Sequence, residues 1–547
     1  MNRINSEYKL SKEPDKNMNN KEIKKIEELK IACIFDPFTM SCYKGICELI
    51  ILDIDKYINQ LQMNKPDILL VESAWRGNNG MWTNKIYTNK RENLNDLERV
   101  ISWCKENKVP TVFWNKEDPV HYEQFLNTSR LFDYIFTTDE NSIMRYKQDL
   151  SNNNVYILLF AANPKIHNPI KLPNERINKA CFAGTFYKYK YKERRDDLKK
   201  ILDIAIENIG LDIYDRHYNT LNIGYKYTDD FKQYIKGYLD VDKLYIANKG
   251  YKIGINVNIV KNSPTMFSRR VFEYLACGTP VISTYSLGIK NIFNDLAVAS
   301  DDLTELDSEF KNLQDNYYYD KKSIKGIREV LNNHTYEKRL LYILDKINIK
   351  IPKYKKKLYV ISVVDTMDEF YMINNMYNNQ TYKYKNILFI TRNKILQVNV
   401  NEDIKKNIIV LNNENKEFKI DNLSKFNYIG ILRPNNYYGK YYFEDMINAT
   451  LYTDSNIIGK KSFFKFNQNQ LNLVNEGKEF EYVDSIDLDK CILKTDTIQN
   501  LGLNKLIENI RLNKIKCAES VYFSIDKYNF IENIKEFKDN IFDYVEI

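Results

Sequence analysis

The sequence predicts an α/β protein built from three domains, and three observations carry that reading. Short, continuous apolar runs alternate with amphipathic stretches along most of the 547 residues, the pattern of parallel strands buried on both faces between helices. The length exceeds what one core of about 150 residues supports. A polar, proline-containing stretch, AANPKIHNPIKLPNERIN, separates two such series, and the basic segment IPKYKKK at 351–357 precedes a third.

The elements follow in order. Residues 1–27 are dominated by Asn, Lys and Glu with no persistent apolar face, which predicts a flexible tail. Apolar runs at 31–35, 66–72 (PDILLVE), 109–114 (VPTVFW) and 134–138 (YIFTT) predict strands, with an amphipathic helix over 93–105 between the second and third. These make a Rossmann-like domain over 28–170. A second series, KACFAGTF, LDIYD, YKIGINVN and TPVISTY, ends in a helical stretch over 320–349 and makes another over 171–350. Two such domains in tandem are expected to face each other across a cleft, where ligands bind at the carboxyl ends of the strands. Beyond 357, LYVISVV, KNILFIT, NIIVLN and YIGILRP predict a third α/β domain over 358–547.

Bulk properties narrow the function. Lys and Arg number 81 against 73 Asp and Glu, a net charge of +8 spread along the chain rather than gathered in one block. That balance suits anionic ligands or an anionic membrane face and does not indicate nucleic-acid binding. The eight cysteines show no C-x-x-C spacing and the four histidines stand far apart, so reduced thiols and no bound metal are expected. The N-terminus lacks the apolar core of a signal peptide, and the longest apolar runs, CELIILDI and VYILLFAA, fall short of the roughly 18 residues that span a bilayer. A cytoplasmic protein is expected, with no transmembrane segment and with room for peripheral membrane contact.

The stretch from Asn262 to Ser286, NSPTMFSRRVFEYLACGTPVISTYS, is the richest in chemistry. Ser263 suits an N-cap, Pro264 a first helical position and Gly278 a C′ position, which predicts a helix over 264–277. Thr265, Arg269 and Glu273 then share a polar face. Unpaired N–H groups at the helix start and the charge of Arg269 or Arg270 suit a diphosphate, and Glu273 can accept the paired hydroxyls of a ribose. Gly184 and Thr185, at the first βα turn of the second series, mark a place where backbone can approach phosphates. In the first series, FWNKEDPVHYEQF puts Lys116, Glu117, Asp118 and His121 just after a strand. Asp118, Glu117 and His121 are candidate acid–base groups. The loop ESAWRGNNGMW offers Glu72, Trp75, Arg76 and Asn78, with Lys116, as acceptor-side residues.

Two segments in order carry a family resemblance. SPTMFSRRVFEYLACGTPVISTYS, and before it PDILLVESAWRGNNGMW with VPTVFWNKEDPVHYEQFLNTSRLFDYIFTTDENSIMRYK, resemble the CgeB-like (spore maturation protein) branch of the GT-B glycosyltransferases over roughly residues 30–345. The resemblance implies a GT-B fold, a nucleotide-diphosphate sugar such as a UDP-hexose as co-substrate, no cofactor or metal, and a glycan, polyol-phosphate or protein acceptor in a cell-surface or spore-coat polymer. Many retaining members carry two glutamates eight positions apart. Here the second is Glu273 and the first falls on Thr265, so the retaining stereochemistry is not implied. The C-terminal segment FNYIGILRPNNYYGKYYFEDMINATLYTDSNIIGKKSFFKF resembles a GT-A domain, but Arg433-Pro434-Asn435-Asn436 stands where that family has its metal-binding D-x-D. Two alternatives share these features: a non-catalytic glycan-binding or scaffold protein, and a nucleotide-sugar epimerase or hydrolase.

Overall fold

The computed structural model describes residues 23, 25–87, 94–352, 354–394, 405, 407–410, 425–497, 503–513, 520–534 and 539–547. The tail expected over 1–27 lies almost wholly outside these. The chain forms two compact units. The first comprises Met1–Thr138, Ser142–Leu158 and Leu341–Pro352, and the second Asp139–Asn141, Leu159–Leu340 and Lys353–Ile547. The domain boundary expected at 170 is therefore drawn by the structure near 158, with 341–352 returning to the first unit.

In the first unit the sheet is parallel, six-stranded and ordered Glu48–Ile51, Lys30–Ile34, Ile68–Glu72, Thr111–Asn115, Tyr134–Thr137, Val155–Ile157. Four of these strands are the four expected. Glu48–Ile51 and Val155–Ile157 come from the two long apolar runs. The order of pairing reverses between Lys30–Ile34 and Ile68–Glu72, and such a switch point opens a crevice at the carboxyl ends of its two strands.

The second unit holds a parallel sheet ordered Ile235–Gly237, Leu211–Asp215, Ile177–Gly184, Tyr251–Asn256, Val281–Ser283, Ala297–Ala299. This is the strand order of a dinucleotide-binding sheet, with its switch point between Ile177–Gly184 and Tyr251–Asn256. Gly254 lets the helix Arg270–Ala276 lie directly on the sheet, because a Cβ there would stand 2.6 Å from the Tyr274 ring. That close approach sets the height of Glu273.

The helix expected over 264–277 is shorter than its punctuation suggested. It spans Arg270–Ala276. Residues 264–269 leave the helical path because Phe267 is buried, stacked on Phe272 at 5.2 Å and edge-on to Phe293. Pro264 O accepts a hydrogen bond from Asn291 (3.2 Å), and Gly288 passes so near that a Cβ would come within 3.2 Å of the Thr265 backbone. Packing of Phe267 outweighs the weak local preference for helix. Thr265 therefore does not share a helical face with Arg269 and Glu273. The stretch over 320–349 likewise becomes two helices, Asn316–Asn333 and Tyr336–Lys346, separated where Thr335 bridges Ala162.

The third series belongs to the same compact unit as the second. Its eight-stranded mixed sheet contains all four expected strands, Leu358–Val363, Lys385–Thr391, Ile408–Val410 and Tyr428–Ile431, as a parallel half. Helix Asn316–Asn333 joins it: Ile327 and Leu331 sit in the same core as Val360 and Phe443, and Arg328 makes two 2.8 Å bonds to Asp445. Glu444 accepts from Asn332 and Thr381. The carboxylates of the helix Tyr442–Ala449 thus serve assembly of the unit.

Candidate active site

At the switch point of the second unit, cationic side chains outnumber their anionic partners. Arg194, in the helix Lys192–Asn208, is 7% exposed, donates to Thr185 O (3.1 Å) and lies over the Tyr187 ring. Arg270 lies over the Phe182 ring. Among the described residues neither has a carboxylate within ion-pair distance. Burial, then the repulsion of Arg270, lowers the Arg194 pKa to about 10, and burial lowers that of Arg270. Two guanidinium groups held together with no carboxylate at ion-pair distance favour binding an anion.

Beside them stands Glu273, 2% exposed. Its Oε1 is 3.3 Å from Arg269 Nη1 and 3.9 Å from His167 Nε2, and receives no hydrogen bond of good geometry. Burial pushes the carboxyl pKa up, but Arg269, His167 and Arg270 outweigh it and hold Glu273 below its usual value. Burial lowers the pKa of His167, and Nδ1 accepts from Asn163 N at 3.2 Å. The neutral imidazole therefore carries its proton on Nε2, toward Glu273. The outcome is an ionised acceptor with an unfilled lone pair.

The other expected donor-side residues have internal duties. Ser263 Oγ donates to Asp139 and accepts from Met266 N (2.9 Å), while Thr265 Oγ1 accepts from Glu140 N (2.9 Å). Both hydroxyls hold the chain segment Asp139–Asn141, so the capping role expected of Ser263 survives on a turn rather than on a long helix. Gly184 is required by packing, since a Cβ would stand 2.6 Å from the Phe182 ring. Thr185 contributes its carbonyl to Arg194.

The first unit's switch point has the opposite charge. Asp36, Glu72 and Lys116 follow or end three adjacent strands, and Lys116 Nζ binds Asp36 and, at 3.1 Å, Glu72. Glu72 is fully buried and also accepts from Asp36 N and Thr39 Oγ1. Burial, then the Asp36 charge, pushes its pKa up to about 7 against the pull of Lys116. Burial works against the Lys116 charge, but Asp36 and Glu72 outweigh it and raise its pKa. Glu72 and Lys116 were expected here; Asp36 and Thr39 were missed, although the Asp-Pro after an apolar run is a readable N-cap signal.

Around this cluster the sequence candidates divide. Asp118 is fully buried, accepting from Asn115 (2.8 Å), Thr137 (2.6 Å) and Tyr146 (3.2 Å). With both oxygens occupied it braces the strand ends. Asn78 is 1% exposed and binds Phe35 N, Cys33 O and Leu52 O, each at 2.9 Å. It is a brace as well. Glu117 is half-buried; its backbone N donates to Asn115 Oδ1 (3.1 Å) and its carbonyl accepts from His121 N (3.0 Å), while its carboxylate makes no hydrogen bond or ion pair among the described residues. His121 packs edge-on to Trp75 and its Nδ1 is buried without a hydrogen-bond partner. Trp75, 38% exposed, and Arg76 are open to solvent.

Comparison with known proteins finds partial similarities. A family described as glycosyl transferase-like matches residues 200–345. The spore protein CgeB of Bacillus subtilis (strain 168) is 22% identical over 185 residues, covering 32% of this chain and 56% of that protein. Both matches mark this part of the chain as similar to glycosyltransferase-like proteins. The chain thus spans a little over half the length of the curated relative it matches. Among solved structures, T4 phage β-glucosyltransferase overlaps 58% of this chain and all of its own at a TM-score of 0.39 and 12% identity. Anabaena HepE, solved with UDP and glucose, overlaps 59% of this chain and all of its own at 0.36 and 10%. Arg270 and Glu273 lie within the stretch that the family matches, which begins at residue 200. Arg194 lies just ahead of it and carries no motif of its own, so only folding reveals it.

In the third series, Asp489 approaches the segment Arg433-Pro434-Asn435-Asn436. Asn436 and Asn513 donate to it at 2.7 and 2.8 Å, and Arg433 Nη1 lies 3.8 Å away. Asp489 is buried, and burial raises its pKa. The carboxylate is held by neighbours of its own chain.

Proposed function

We propose that this protein transfers a hexose-type sugar from a nucleotide diphosphate, UDP by preference, to a glycan, polyol-phosphate or protein acceptor, without a metal ion. One observation supports it most: Arg194 and Arg270, neither with a carboxylate at ion-pair distance among the described residues, beside the ionised Glu273 at the switch point of the second unit. Donor diphosphate binds the two guanidinium groups through charge-assisted bonds, and the ribose hydroxyls donate to Glu273. As the bond from the anomeric carbon to the diphosphate oxygen breaks, charge grows on the departing diphosphate, and fixed cations there lower the barrier. The acceptor oxygen forms the new bond to that carbon and gives up its proton to a general base, a role for which Glu117 and His121 are the candidates. Asp118 supports the segment that carries both.

The third domain supports the unit rather than housing a second centre, since Glu444, Asp445 and Asp489 are engaged within the chain. Nucleoside diphosphate release from a panel of nucleotide sugars, with chelator present, tests the reading. Wild type is expected to turn over one donor selectively, and Arg194→Ala/Arg270→Ala to lose that activity while still folded. Failure of the folded wild type to bind any donor sinks it and favours a scaffold.

A further inference from the structure

We infer that the loops at 187–192 and 216–223 dock this protein onto an anionic membrane surface. The two loops follow neighbouring parallel strands, Ile177–Gly184 and Leu211–Asp215, at one sheet edge. They are one surface: Lys188 N donates to Gly224 O (2.8 Å), Tyr187 and Tyr225 stand 5.9 Å apart, and Lys226 Nζ donates to Tyr218 O (2.8 Å).

Its composition is unlike a solvated loop. Leu221 is 96% exposed, Ile223 64%, Tyr189 69% and Tyr218 50%. The turn that presents the two aliphatic side chains is held by Gly224 N donating to Asn222 Oδ1 at 2.9 Å, so they project by construction. Singly exposed apolar residues mean little, but a cluster of this kind marks an interaction surface.

Charge selects the partner. Lys188, Lys190 and Lys192 alternate with Tyr187, Tyr189 and Tyr191 and are exposed. The nearby carboxylates already have cations: Glu193 pairs with Lys261 (2.9 Å), Asp196 with Arg195 (3.1 Å), Asp229 with Lys232 (2.6 Å) and Asp230 with Lys199 (3.5 Å). A lipid surface with anionic headgroups satisfies every part. Aliphatic tips enter the acyl boundary, tyrosine rings sit at headgroup level and lysines meet phosphates. The inference does not depend on the transferase reading.

Co-sedimentation of the full chain with phosphatidylcholine vesicles, with and without phosphatidylglycerol, tests it. Binding is expected to need phosphatidylglycerol and to fall as salt rises. Leu221→Asp/Ile223→Asp is expected to weaken the partition about tenfold or more, from the apolar burial lost, and Lys188→Glu/Lys190→Glu to weaken it as well. Absent binding, equal binding to both vesicle types, or unchanged binding by the Leu221→Asp/Ile223→Asp variant overturns the proposal. So does loss of a dimer in that variant without vesicles, which makes the patch a protein interface.

Discussion

The two parallel sheets place opposite charges at equivalent points. In the first unit two carboxylates, Asp36 and Glu72, share Lys116; in the second, Arg194 and Arg270 share no carboxylate and Glu273 is bracketed by Arg269 and His167. Both clusters occupy the crevice that a reversal in the order of strand pairing opens. The difference teaches that architecture supplies the crevice while a few side chains decide what it holds. A closed acid–lysine cluster satisfies itself, whereas an uncompensated pair of arginines favours a bound anion.

The comparison can be broken most sharply at Lys116. Lys116→Met leaves two carboxylates facing each other in a buried setting and is expected to destabilise the first unit by about 3–5 kcal/mol, read as a fall in unfolding midpoint. An unchanged midpoint means that the cluster is not the self-satisfied one described. Next comes Arg270→Ala, expected to lower donor turnover by about 10²-fold or more, as removal of a group facing developing charge does elsewhere. Turnover within twofold of wild type removes Arg270 from the donor site. Glu273→Gln keeps the shape and loses the charge, so the donor KM is expected to rise about tenfold, the scale of one hydrogen bond to a charged group.

A smaller effect separates the clusters by pH. The folded state holds the Glu72 proton more tightly than the unfolded chain, because its pKa is raised to about 7. The folded state then binds more protons than the unfolded one between the ordinary carboxylate range and neutrality, so this group's contribution falls as pH rises through that window. Wild-type stability is expected to carry this slope and Glu72→Gln to lack it; equal slopes show that Glu72 ionises normally. Smallest is Thr265→Ala, which removes the bond to Glu140 N and is expected to cost about 1 kcal/mol with little change in kcat. A large loss of kcat restores Thr265 to the sugar contact.

By itself the sequence determined the α/β class, most of the strands and the segment that carries Arg269, Arg270 and Glu273. Apolar runs of strand length and the Arg-Arg-x-x-Glu spacing are local signals, and local signals survive without a fold. Tertiary structure alone decided the rest. Phe267 packed against Phe272 and Phe293, and the helix began at Arg270 in spite of Ser263 and Pro264. Asp118 and Asn78 read as polar loop residues until folding buried them among strand ends. Arg194 and Asp36 gained meaning only when adjacent strands brought them beside residues 76 and 80 positions away. Such pairings depend on sheet order, which long-range packing selects and neighbouring residues do not encode.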